Sequence, residues 1–211
     1  MSQVMNIIRW QRTLPCYSNM IIRVLHKEAI PVEWKKPGIG WTKLNFDGSS
    51  KGGGGGRGRG RGGKASIGGL IRNDKAEFML GYAESIGRAN STIAELKALR
   101  RGLELVVENG WNDKLWLEGD AKTLVEIISK RRKVRCMEVQ KHISDINSIL
   151  PEVNNLVVSH IYREGNRAAD KFAQMGHLLE EPTIWRHVPP HEVLAIMRDD
   201  AQGKIVLRTR R

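Results

Sequence analysis

Four acidic residues carry the chemistry that this chain could perform. They are Asp47 in Leu-Asn-Phe-Asp-Gly-Ser-Ser, Glu95 in Thr-Ile-Ala-Glu-Leu-Lys-Ala-Leu, Asp120 in Leu-Trp-Leu-Glu-Gly-Asp and Asp170 in Gly-Asn-Arg-Ala-Ala-Asp-Lys-Phe-Ala. Carboxylate oxygens are the ligands that hard divalent cations take. A pair of such cations about 4 Å apart can activate a water on one side of a phosphodiester and stabilise the departing oxygen on the other. Each acid alone has a plainer reading. Asp47 before Gly48 suits a turn, Glu95 a helix start, Asp120 a helix N-cap and Asp170 a first-turn acid. Only the four together argue for a site, and that requires a fold that gathers them.

The elements that must do so can be read from periodicity. Thr42 to Ser49 alternates Leu44 and Phe46 with Lys43, Asn45 and Asp47, as a strand does. Ala65 to Asn73 and Glu77 to Ile86 read as two further strands, joined by Asn73-Asp74-Lys75-Ala76 as an antiparallel hairpin. Ile93, Leu96, Leu99, Leu103 and Val106 then recur at helical spacing, predicting a helix over Ser91 to Asn109 with Ser91 or Thr92 as N-cap and Gly110 as the stop. Lys114 to Gly119 is a short apolar strand, followed by a helix from Lys122 to about Arg132. The strands flanking the long helix are expected to run parallel in a βαβ arrangement. Met137 to Leu150 is a helix that Pro151 ends, Leu156 to Tyr162 a fifth strand, and Arg167 to Leu179 a last helix. The expected fold class is α/β, a five-stranded mixed sheet flanked by helices. Asp47 and Asp120 would end strands, while Glu95 and Asp170 would lie on helices.

Around this domain, placed at residues 41–179, the chain changes character. Residues 1–40 read as an irregular basic lead-in. From Glu180 onward Pro182, Pro189 and Pro190 interrupt the chain and the end is basic, so residues 180–211 are expected to pack loosely. Within the domain, residues 51–64 form a Gly/Arg-rich run that carries Lys51, Arg57, Arg59, Arg61 and Lys64, too rich in glycine for regular structure.

The 211 residues suit one domain with tails, and 40% hydrophobic content can support one core. A formal charge of +12 points to a polyanionic partner, nucleic acid or an acidic membrane surface. No apolar run is long enough to span a bilayer, so a membrane protein is not expected. Cys16 and Cys136 have neither metal-type nor disulfide-type spacing, which fits a reducing compartment, nucleus or cytoplasm. Arg9, Arg12, Arg23 and Lys27 precede the first acid, Glu28. Organellar transit peptides and nucleic-acid-binding arms share that composition.

The motifs Asp47-Gly-Ser, Ala94-Glu-Leu-Lys-Ala-Leu, Glu118-Gly-Asp, and His160 through Asn166 to Asp170 together resemble the ribonuclease H family. The nearest resemblance is to the reverse-transcriptase-like domains of plant retroelement type. It covers Trp41 to Leu179, and the Trp185 to Gly203 segment is similar to the stretch directly after the domain in that group. The resemblance implies a ribonuclease H-like fold and hydrolysis of the RNA strand of RNA–DNA hybrids. It also implies two magnesium ions, replaceable by manganese, held by Asp47, Glu95, Asp120 and Asp170. His160 matches an auxiliary histidine that assists proton transfer or product departure. Gly48, Ser49, Ser91, Thr92, Lys122 and Asn166 match substrate-contacting positions, with Ser91 and Thr92 where strong hybrid enzymes often carry asparagine. The expected partner is nucleic acid, RNA–DNA hybrid or RNA, and the expected state a monomer.

Some features depart from the resemblance. Between Asp120 and Asp170 there is no room for the basic projection that some members use to grip substrate, and the Gly/Arg run is a candidate replacement. Proofreading exonucleases want an acid where Ser49 stands, and transposases and integrases a glutamate where Asp170 stands. The rival from another class is a catalytically idle nucleic-acid-binding module derived from such a domain.

Overall fold

The computed structural model describes residues 29–52, 62–130 and 134–209. Two units divide the chain, Ile30–Arg208 and Met1–Ala29 with Thr209–Arg211. Of the second, only Ala29 and Thr209 are among the described residues, so the basic arm read as a targeting or binding segment lies outside them.

After a short β1 (Ala29–Val32), the expected alternating strand forms as β2 (Thr42–Lys51). It is followed by β3 (Gly63–Arg72) and β4 (Phe78–Ala89), each antiparallel to its predecessor. Both β2 and β3 run further into the Gly/Arg segment than expected. Lys51 sits opposite Lys64, and residues 53–61 lie outside the described residues. The β3–β4 connection is the expected polar one, with Asn73 Oδ1 accepting from the backbone N–H of Lys75 and of Glu77.

The long helix α1 (Ser91–Glu108) is capped by Asn90, whose side chain accepts from the Ile93 N–H at 2.9 Å. The cap was expected at Ser91 or Thr92. One residue earlier, the asparagine reaches the third helical N–H, which places both hydroxyl residues inside the first turn. Asn109 ends the helix, and Gly110 follows at φ 69°, the left-handed conformation that glycine adopts without strain. Then come β5 (Lys114–Gly119), α2 (Lys122–Lys130), α3 (Met137–Ile149), β6 (Asn155–His160) and α4 (Arg167–Gly176). Strand β5 pairs parallel with both β2 and β6.

Among the described residues the sheet has six strands rather than five, in the order β6-β5-β2-β3-β4 with one further strand beyond β4. The added strand, β7 (Thr183–Arg186), pairs antiparallel with the free edge of β4. Beyond it come α5 (His191–Ala201) and β8 (Val206–Thr209), which joins β1 in a two-stranded sheet. The expectation of a loosely packed tail therefore fails for these residues. Val193 is fully buried and Met197 nearly so, in a cluster with Leu70, Ala83, Ala168 and Phe172. The prolines that suggested a loose tail only punctuate it: Pro182 lies just before β7, and Pro190 is the N-cap of α5.

The two sheet faces are covered differently. On one, Leu44 and Phe46 pack with Leu96, Leu99 and Leu103 of α1 in the main core. Each fully buried leucine there contributes about 2 kcal/mol. On the other face, α4 lies against β3 so closely that a Cβ on Gly68 would overlap the Phe172–Ala173 backbone. Lys43, Asn45 and Asp47, the polar half of the β2 alternation, are buried as well. None of the described helices is long and apolar enough to cross a membrane.

Candidate metal centre

Three of the four acids meet because β2 and β5 are parallel neighbours. Their register sets Asn45 beside Glu118, so Asp47 and Asp120 emerge at the same end of adjacent strands. Glu95 arrives from α1, whose first turn rests on β2 at Gly48. A Cβ there would overlap the backbone at the Ala94–Glu95 junction, so the approach requires glycine. The Gly48 backbone lies beside the Glu95 carboxylate and favours its ionised form. Oxygens of Asp47, Glu95 and Asp120 all lie within 4.8 Å of one another.

Asp170, in the first turn of α4, stands beside Asp47 within side-chain hydrogen-bonding reach. It is held by two other groups. Arg163 donates from Nη2 to Oδ1 at 2.7 Å, and Gln174 donates from Nε2 to Oδ2 at 2.6 Å.

So much negative charge in a nearly closed space is unfavourable without a counter-ion. Burial, then Asp120 and Asp170, push the Asp47 carboxyl up to about 8. Burial, then Asp47 and Asp120, raise Glu95 well above the usual carboxylate range, and burial raises Asp120. Glu95 Oε2 and Asp120 Oδ1 are buried with no hydrogen-bond partner, a costly state for a polar oxygen. Unpartnered oxygens, clustered carboxylates and raised pKa values fit one hard cation or more, which would satisfy the oxygens and draw off the protons.

The other anticipated residues fall around this cluster. Asn166 is buried, donates to the Phe46 carbonyl at 2.9 Å and stands beside Asp120, where its amide favours the ionised carboxylate. His160, half-buried, places Nε2 at 3.2 Å from the Asp120 carbonyl and packs edge-on to Tyr162. Ser49 lies one residue past Gly48, with Oγ 2.9 Å from His177 Nε2. Ser91 and Thr92 are exposed one turn before Glu95, and Lys122 is exposed two residues beyond Asp120.

Sequence reasoning missed Arg163, Gln174 and the role of His177, which has no motif around it. Gln174 had a signal, since it follows Asp170 by four residues on one helix. Arg163 had none in periodicity, because the turn Arg163–Gly165 separates it from α4. His177 is buried, and its pKa is lowered by burial and by Lys51 and Lys64.

Comparison with known proteins gives the same picture of the fold. The family model described as "Reverse transcriptase-like" matches residues 55–176, more than half of the chain. An Arabidopsis thaliana protein called "Putative ribonuclease H protein" is 27% identical over 175 residues, 82% of this chain. The chain spans only 26% of that protein's length. Among solved structures, LC11-RNase H1 in complex with an RNA/DNA hybrid, an enzyme isolated from compost by a metagenomic approach, is 26% identical. It superposes with a TM-score of 0.55, covering 64% of this chain and 94% of that one. RNase H1 from the halophilic archaeon Halobacterium salinarum reaches a TM-score of 0.58 at 22% identity, covering 64% of this chain and 96% of that one.

Proposed function

The chain belongs to the reverse transcriptase-like family, and on that basis we propose that it is a divalent-metal-dependent endonuclease hydrolysing the RNA strand of RNA–DNA hybrids. The observation that carries this reading is the meeting of Asp47, Glu95 and Asp120 around buried oxygens that have no partner. The similarity to LC11-RNase H1, solved on a hybrid, supports the choice of substrate.

Asp47, Glu95 and Asp120 would hold the cation, and Asp170 would join them in holding a second once Arg163 and Gln174 release it. Bound magnesium, or manganese in its place, would supply an activated water and a stabilised leaving oxygen in an in-line displacement. No covalent intermediate on the protein is needed, and the products carry 5′-phosphate and 3′-hydroxyl ends. In this reading the remaining work falls to the residues around the carboxylates. Gly48 and Ser49 lie closest to the scissile strand, and Asn166 orients Asp120. Ser91 and Thr92 meet 2′-hydroxyls across the minor groove, the groups that distinguish RNA from DNA. Lys122 meets a phosphate. His160, at the rim, takes part in proton transfer or product departure.

A second reading, a module that binds nucleic acid without cutting it, has one observation in its favour: Asp170 is engaged by Arg163 and Gln174. One assay separates the two. A labelled hybrid incubated with magnesium should be cut by the native chain, and Asp47→Asn and Asp120→Asn should each lower the rate by about a hundredfold or more. Hybrid binding without magnesium-dependent cutting would replace the enzyme by the module.

A further inference from the structure

Behind the carboxylates lies a polar network that the proposed reaction does not use. Its centre is Asn45, buried on β2 two residues before Asp47. All four hydrogen-bonding positions of its amide are taken. Oδ1 accepts from Trp34 Nε1 at 2.8 Å and from Arg72 Nη2 at 3.1 Å, while Nδ2 donates to Glu118 Oε2 at 3.0 Å and to Asn166 Oδ1 at 3.3 Å. The indole and the guanidinium can only donate and an ionised carboxylate can only accept, so the amide has one orientation. That orientation dictates the next. Asn166 must turn its oxygen toward Asn45, which leaves its Nδ2 for the Phe46 carbonyl, directly before Asp47. Asn166 also stands beside Asp120, where its amide favours the ionised carboxylate, and its backbone carbonyl accepts the Asp170 N–H.

The groups around Asn45 are themselves immobilised. Arg72 lies over the Trp34 ring at 3.4 Å and pairs with Asp200 of α5 at 2.8 Å. Glu118 accepts from Lys43 at 2.7 Å and from Ser159 at 3.1 Å. Two buried cations are expensive to keep in a core, and burial lowers the Lys43 amine to about 8 despite its partner Glu118. Stability alone is a weak reason for such an arrangement. A fixed geometry is a better one, because each charge admits only one orientation of its neighbour.

We propose that Asn45 is a positioning residue of the metal site: through Asn166 it fixes the Asp47 and Asp120 carboxylates, so that Trp34 and the Arg72–Asp200 pair set the affinity for divalent cation. Trp34 and Asp200 both lie outside the residues that match the family model. The inference rests on the cation-binding reading of the site, and its test does not require cleavage.

The test is a calorimetric titration of the full chain with manganese, counting only the binding that Asp47→Asn abolishes. Asn45→Ala should weaken manganese binding about tenfold, the usual scale for losing a partner behind a ligand. Trp34→Phe keeps an aromatic ring beside Arg72 and Lys43 but deletes the five-membered ring with its N–H to Asn45, and should weaken binding by roughly threefold. Ile146→Ala, a cavity in the main core beneath α3, serves as a control: it should lower the melting temperature and leave manganese affinity unchanged. If Asn45→Ala fails to fold, Trp34→Phe decides. Native affinity in Trp34→Phe, or in a folded Asn45→Ala, overturns the positioning role and leaves the proposed function standing. A native chain without Asp47-dependent manganese binding removes both.

Discussion

Arg163 and Asp170 form an ion pair of 2.7 Å at the edge of the carboxylate cluster, with the arginine largely exposed and the aspartate mostly covered. The guanidinium occupies one of the oxygens that a second cation would need. Arg163→Ala should therefore lower the magnesium concentration needed for half-maximal hybrid cleavage, by about two- to threefold given the screening at an exposed site. The same charge favours phosphate, so KM for hybrid should rise. Stability should change by less than about 1 kcal/mol. An unchanged magnesium midpoint would mean that the pair does not compete with the cation.

The acidic cluster makes the metal-free protein sensitive to alkali. Asp47 in the folded chain titrates at about 8, above its unfolded value, and Glu95 and Asp120 shift the same way. In the window between the ordinary carboxylate range and about pH 8, the folded chain holds protons that the unfolded chain has released. Stability from this source is fully present below that window and is lost as pH rises through about 8. His142 and His177, lowered by burial, act in the opposite sense near neutrality. Comparison with Asp47→Asn cancels their effect. The melting temperature of that variant minus that of the native protein, both without metal, should grow from about pH 5 to about pH 8. Magnesium should raise the native melting temperature more at the upper end.

Gly48→Ala tests the approach that delivers Glu95. The new methyl group would overlap the Ala94–Glu95 backbone, so α1 must lift or β2 must bend. Chemical denaturation should show a loss of roughly 1–3 kcal/mol. Cleavage should fall further than that loss accounts for, because Glu95 moves with the helix.

The like-charged pair Lys51 and Lys64 sits cross-strand at the base of the Gly/Arg run. Such a pair is unfavourable on its own and favourable against a phosphate backbone. Deleting residues 52–63 removes Arg57, Arg59 and Arg61. For every phosphate that these arginines neutralise in the native complex, the deletion should flatten the dependence of log affinity on log salt by about 0.7 to 0.9. A slope equal to that of the native chain would remove the tether role.

The parts of the fold that were legible in advance are those with a strong local period. Leu44 and Phe46 alternate, and Ile93 to Val106 recur every third or fourth residue, so β2 and α1 could be placed, and with them Asp47 and Glu95. The sixth strand has only Thr183 to Arg186, too short to show a period, and exists because β4 offered a free edge. The network behind the site was hidden for another reason. Lys43 and Asn45 occupy the polar half of an alternating strand, which ordinarily faces water. Here Trp34, α4 and α5 close over that half, and Arg72 finds Asp200 across 128 positions of sequence. No local pattern reports such a meeting. The clasp on Asp170 falls between these cases, readable for Gln174 and not for Arg163.

The pairing of Arg72 with Asp200 also bears on how the protein can be handled in the laboratory. A clone trimmed after Leu179, where the motifs stop, would leave a guanidinium enclosed in the core with its counter-charge cut away. Such a loss typically costs about 3–5 kcal/mol, a large share of what holds a small domain together. The trimmed chain should be poorly soluble or unfolded by circular dichroism, whereas one carried through β8 should melt cooperatively. An inert trimmed product would then report on a badly placed stop codon rather than on the chemistry of the protein.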